Sequence, residues 1–132
     1  MPKPPSISDA EWEIMNVVWQ SSPLTSMQII DRLAKVTDWN PRTIKTLINR
    51  LLRKGALAYD AEGNRYLYRP AVKREQCVRQ KSRSFADRVF GGAVGPMLVH
   101  FVQQADLSAA EIAELQKLLT AKARRRREKE RP

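Results

Sequence analysis

Residues 40 to 55, Asn-Pro-Arg-Thr-Ile-Lys-Thr-Leu-Ile-Asn-Arg-Leu-Leu-Arg-Lys-Gly, constrain the fold more than any other stretch. They read as one helix with marked ends. Asn40 stands at the N-cap and Pro41 at the first helical position, where a missing N–H costs nothing. Gly55 follows the last periodic residue, as a left-handed C-terminal cap requires. At roughly 100° per residue, Ile44, Leu47, Ile48, Leu51 and Leu52 share one arc. Arg42, Thr43, Lys45, Thr46, Asn49, Arg50 and Arg53 share the other, with no Asp or Glu among them. A solvated face usually mixes signs, because Glu–Lys pairs at i,i+4 add support. A face of Arg, Lys, Thr and Asn alone suits a partner with phosphates and base-edge acceptors.

The flanking sequence places this helix in a motif. Ser8 and Glu11 form a capping box, with Ile7 and Trp12 at the positions of a hydrophobic staple. Trp12, Met15, Val18 and Trp19 then mark the core face of a first helix, from Ser8 to about Ser21. Ser22-Pro23 ends it. Thr25 and Gln28 make a second capping box, and Met27, Ile30 and Leu33 are the expected inward stripe of a second helix. Thr37 to Asn40 is a short turn. Two helices, a turn and a capped basic helix make a helix-turn-helix pattern. After Gly55 the period changes. Residues 56–60 and 65–69 are short and β-prone, and flank a loop expected at 61–64. A hairpin in this place is the wing of a winged helix, with Asn64 and Arg65 positioned to reach a phosphate or the minor groove.

The net charge of +10 is unevenly spread. Residues 1–70 carry +3, residues 71–120 carry +2 and residues 121–132 carry +5. The last segment, with Arg124 to Arg127, reads as a basic tail, frayed or disordered. The single Cys excludes an internal disulfide framework, and one Cys with one His supplies too few ligands for an ordinary zinc site. Cys77 reads as a small apolar helix residue. No metal site and no cofactor is expected. Met-Pro-Lys-Pro-Pro lacks an apolar signal core, and no apolar run approaches the roughly 20 residues that span a bilayer. A cytoplasmic protein without membrane insertion is the expectation. Catalysis finds no support. His100 has no catalytic context, and Gly91-Gly92-Ala93-Val94-Gly95 lacks the strand and the Lys-Ser/Thr of a phosphate loop. It reads as a break between helices.

Residues 71–120 are helical. Lys73 to Phe90 and Val94 to Gln103 are two segments, and Ser108 with Glu111 caps a third that carries Ile112, Leu115, Leu118 and Leu119. Three helices in about 50 residues bury too little surface to stand alone, so a second copy of the chain is expected. The fold class is therefore mostly α with a small β-hairpin wing. An N-terminal winged helix-turn-helix (1–70) precedes a helical dimerisation region (71–120) and the basic tail (121–132). The residues themselves point first to a dimeric DNA-binding protein. The alternative is a winged-helix module for protein–protein contact, its charge serving solubility.

Three segments resemble the BlaI/MecI-type repressors, the penicillinase-repressor family. They are Ser8-Asp9-Ala10-Glu11-Trp12-Glu13-Ile14-Met15 with Trp19, then Arg42 to Leu51, then Leu107 to Leu115. The resemblance implies a homodimer that represses by binding inverted-repeat operators in double-stranded DNA, upstream of resistance genes and of a membrane sensor gene. It implies that Arg42, Thr43, Lys45 and Thr46 face the major groove and that Arg50 and Arg53 hold phosphates. It also implies a membrane-bound sensor metalloprotease that cuts the repressor between an Asn and a Phe. The aligned pair here is His100-Phe101, so the Phe matches and the Asn does not. Copper-sensing members carry Cys-x-Cys pairs near the C-terminus, and this chain has no Cys after position 77.

Overall fold

The computed structural model describes residues 3–131. Met1 and Pro2 of the expected first domain and Pro132 of the expected tail lie outside them. The order is α1 (Asp9–Gln20), α2 (Ser26–Leu33), α3 (Pro41–Lys54), β1 (Leu57–Glu62), β2 (Arg65–Pro70), α4 (Arg74–Phe90), α5 (Val94–Gln104) and α6 (Ala109–Lys129). The capping boxes at Ser8, Thr25 and Ser108 form as the sequence predicts.

The first three helices and the hairpin close around one core. Ile14, Met15 and Val18 of α1, Ile29 and Leu33 of α2, and Ile44, Ile48 and Leu51 of α3 are all buried. Trp12 and Trp19 flank this core half-buried, edge to face at 5.3 Å. On α2 the expected stripe is corrected. Ile29 is buried, whereas Met27 is 62% exposed. Ile29, Ile30 and Leu33 span one arc, and Met27 stands about 115° from its middle at 100° per residue.

β1 and β2 pair antiparallel from Leu57↔Pro70 to Glu62↔Arg65. The loop is therefore two residues, Gly63-Asn64, not the four expected at 61–64. Gly63 supplies the positive φ of +61° that a tight hairpin needs at its first position. Leu24 adds a single bridge to the outer edge of β2, exchanging hydrogen bonds with Tyr68 at 3.0 and 2.7 Å. The wing is thereby tied to the segment that leads into α2.

Glu11 is a charged residue seated in this core, 1% exposed. Its Oε1 accepts from the Ser8 amide at 2.8 Å and from Lys54 Nζ at 2.5 Å. Lys54, at the end of α3, also donates to the Ser6 carbonyl at 2.9 Å. One ammonium thus joins the start of α1, the N-terminal segment and the end of the basic helix. Burial pushes the Glu11 carboxyl up. Hydrogen bonds from Lys54 and Ser8 and the Lys54 charge outweigh it, so the group sits below the ordinary glutamate range.

The core continues past residue 70. Cys77 of α4 is 2% exposed within it, and the Trp19 indole donates to the Val72 carbonyl at 3.1 Å. Lys81 reaches back to Asp9 Oδ1 at 2.8 Å and to the Ile7 carbonyl at 3.1 Å. The expected tail is also corrected, because α6 runs unbroken to Lys129. Residues 120 to 129 hold no Gly or Pro, and Ala, Lys and Arg are strong helix formers. Cations in the last turn also suit the helix dipole.

Lys54→Met should leave the Glu11 carboxylate buried without its partner. We expect a loss of about 1–3 kcal/mol in urea unfolding, less than the roughly 3–5 of fully buried pairs because Lys54 is partly solvated. The folded-state pKa of Glu11 is depressed. Its contribution is therefore present above the unfolded value of about 4.3 and lost as pH falls through the lower folded value. In Lys54→Met only the Ser8 hydrogen bonds still oppose burial, so the Glu11 contribution to the acid limb should shrink.

Candidate nucleic-acid interface

Helix α3 is held at both ends. The Asn40 side chain accepts from the Thr43 amide at 2.9 Å, Pro41 opens the first turn, and Gly55 closes the last with φ +81°. Its apolar arc is pinned in the core by Ile44, Leu47, Ile48 and Leu51. All seven polar residues predicted for the opposite face are exposed. Arg42, Thr46, Asn49 and Arg53 form a central ridge about 16 Å long, at 1.5 Å per residue. Lys45 flanks one side, with Thr43 and Arg50 on the other.

The electrostatics of this face are uncompensated. Ion pairs among the described residues engage Lys54, Arg65, Arg69, Arg79, Lys81 and Arg126. None engages Arg42, Lys45, Arg50 or Arg53. The Thr46 hydroxyl donates to the Arg42 carbonyl at 3.0 Å, which leaves its methyl free for apolar contact. Such a face can donate to phosphates and base acceptors and has no carboxylate to repel them.

Asn64 lies in the hairpin loop and Arg65 opens β2, both exposed. Arg65 Nη2 stands 3.8 Å from Glu62 Oε1, across an exposed pair that exchanges readily with solvent. Tyr59 and Tyr66 add two exposed rings to the wing, 4.4 Å apart. No local pattern signals this pair, because cross-strand neighbours depend on register.

The second half presents a different surface. Phe85, Val89, Leu98, Phe101 and Leu118 are between 42% and 60% exposed, and α6 buries no residue. The pair His100-Phe101 sits within α5, both residues exposed. The Phe101 ring stacks on Phe85 at 5.8 Å and meets Phe90 edge-on at 6.4 Å.

A family model described as penicillinase repressor matches residues 7–121. The chain belongs to this family. It is 38% identical to the penicillinase repressor of Bacillus licheniformis over 128 residues, covering 97% of this chain and all of that one. It is 34% identical to the methicillin resistance regulatory protein MecI of Staphylococcus aureus, covering 88% and 94%. Its fold matches the solution structure of the Bacillus licheniformis BlaI monomeric form in complex with the blaP half-operator. That match has a TM-score of 0.51 and 41% identity, over 58% of this chain and 93% of that one. The penicillinase repressor family is one of regulators, not of enzymes. No helix among the described residues is long and apolar enough to cross a membrane.

Two residues with a positional role escape the seven-residue face. Glu11 reads from sequence as a cap, and Lys54 as the end of a basic run. Their contact spans 43 positions and leaves no local trace. The N-cap is legible and testable. Asn40→Ala should destabilise the domain by about 0.5–2 kcal/mol in thermal or urea unfolding, and Asn40→Asp should restore most of it.

Proposed function

We propose that this protein is a homodimeric, sequence-specific repressor that binds inverted-repeat operators in double-stranded DNA. Its regulated genes would be resistance genes of the β-lactamase type, as the relatives' names suggest, and a sensor gene. One observation carries the reading, the capped, acid-free and unpaired face of α3. A module built for protein contact has no need of an outward helix face with four free cations and no acid.

In this reading Arg42, Thr43, Lys45 and Thr46, on the first turns of α3, read base edges in the major groove, where the start of a recognition helix is placed. Asn49 extends the ridge. Arg50 and Arg53 hold phosphates. Asn64 and Arg65 bring the wing to the backbone or the minor groove. The apolar faces of α4, α5 and α6 support a second copy as partner, since clustered exposed apolar side chains mark interaction surfaces. Two-fold symmetry then presents two α3 helices to half-sites about one helical turn, roughly 34 Å, or a multiple apart.

Relief of repression follows from cutting α5 at His100-Phe101, by a membrane-bound sensor metalloprotease. The cut separates α6 from the DNA-binding half. A monomer holds half as many phosphates and forgoes the advantage of linked half-sites. A protease takes its substrate extended, so α5 must unwind there. An 11-residue helix is marginal on its own, which makes such opening accessible.

Gel shifts on the promoter fragment upstream of the protein's own gene, with a scrambled competitor and a salt series, test this function. Lys45→Ala should weaken operator binding by about 1–3 kcal/mol and leave scrambled DNA little changed. Arg53→Ala should weaken both alike and reduce the salt slope by about one for each half-site, about two for the dimer. If neither substitution affects binding, the α3 face is not the interface. Leu119→Glu, at an exposed site, should leave the chain folded. By sedimentation it should raise the dimer dissociation constant roughly 10- to 100-fold, the worth of one buried leucine.

A further inference from the structure

Helix α6 changes character along one face. At roughly 100° per residue, Leu115, Leu118 and Leu119 fall within about 100° of arc, and Lys122, Arg125, Arg126 and Lys129 continue the same arc. The apolar stripe of the first half is a cationic stripe in the second. Glu128 lies off this arc. Glu130 lies at its edge, where it accepts from Arg126 at 2.7 Å. That pair is exposed on both sides, and such pairs are worth little against water. All the residues from Ala121 to Arg131 are exposed.

We propose that the end of α6, residues 122–129, is a second DNA-binding surface. It would hold phosphates of duplex DNA through Lys122, Arg125, Arg126 and Lys129. The proposal rests on the reading of the chain as a DNA-binding repressor. The side chains on this stripe define the mode of contact. Arg and Lys stand there without the Asn and Thr that interleave with cations on α3, so the stripe engages backbone and not base edges. The free helix carries like charges at i,i+3 and i,i+4, which repel. A polyanion relieves that repulsion and releases counterions as it binds. A membrane is the poorer partner, since Ala121 and Ala123 are the only apolar side chains between positions 121 and 131 and neither can anchor in a bilayer. Each copy in a dimer brings one such stripe beyond the leucines that a partner would cover, so assembly doubles the number of phosphates within reach.

The test uses the full chain with Lys122, Arg125, Arg126 and Lys129 all changed to Gln. A control changes Arg124, Arg127 and Arg131, on the opposite side, to Gln. Both are first shown to sediment as the unsubstituted protein does. Fluorescence anisotropy then follows binding to the promoter fragment and to a scrambled duplex across a salt series. The expected result is a fall of about four to seven in the salt slope for the stripe variant, whose dimer loses eight cations, at close to 0.9 for each phosphate no longer neutralised. Both duplexes should weaken in proportion, so the operator preference stays. The control should change the slope by less than half as much. An unchanged slope overturns the proposal. So does a control fall of half the stripe's or more, because three charges against four would give about three-quarters if net charge alone counted, or tighter binding to phosphatidylserine vesicles than to the scrambled duplex. Failure of the repressor reading looks different, because there the unsubstituted protein shows no operator preference at any salt.

Discussion

The contact between Glu11 and Lys54 is the constraint on which the DNA-facing half depends. A carboxylate in an apolar core is costly unless its charge and lone pairs are met. Here Oε1 receives an amide and an ammonium, while Oε2 has no hydrogen-bond partner. The compensation is therefore incomplete and directional. It is met only when the end of α3 lies against the start of α1. Hydrophobic packing alone tolerates sliding of one helix on another. The half-buried pair of Glu11 and Lys54 adds a directional contact that favours one placement of α3 and so of its opposite face. The same lysine holds the Ser6 carbonyl, so the N-terminal segment is gathered into that arrangement.

The two halves of the chain treat apolar surface in opposite ways. From Ile7 to Cys77 the large apolar residues largely point into one core, which admits the first turn of α4. Beyond Phe85 they mostly point outward. Burial of Cys77 pushes its thiol up, and so favours the inert protonated form in a packing role. Met97 is buried where α5 meets α4, but Phe101, Val102 and the leucines of α6 are not buried. The first half encloses its own core, with the first turn of α4 included in it. The second is stable only to the extent that something covers it, and the proposed second copy does so.

Features governed by short-range chemistry are legible in the sequence. Asn40, Pro41 and Gly55 set the bounds of α3, and three Ser/Thr boxes set the starts of α1, α2 and α6. Because local signals mark both the bounds and the period of α3, all seven face residues are found outside, and Asn64 and Arg65 are found at the wing tip. The misses have separate physical causes. On α2, eight residues give too few turns to fix the phase, so periodicity alone places Met27 inside where the structure buries Ile29. In the wing, Ala61 and Glu62 have weak strand propensity, and only pairing with Tyr66 and Arg65 extends β1 to them. The arginine run resembles a disordered tail by charge, although its residues propagate a helix that the capping box at Ser108 has already nucleated. The partner of Glu11 is invisible, because nothing local encodes a contact made 43 positions away.

Helix α4 is fastened to the DNA-facing half at two places. Its start is held by the Trp19 bond to Val72, and its second turn reaches α1 through Lys81. These two contacts set the direction in which this arm leaves that half. Each residue added to the arm would turn everything beyond it by about 100° and move it by about 1.5 Å. In a two-fold assembly, the distance and phase between the two α3 helices are then written in the length of α4, a ruler whose residues need never touch a base. Operators of different spacing would be reached by changing this arm and not the helix proposed to read the sequence.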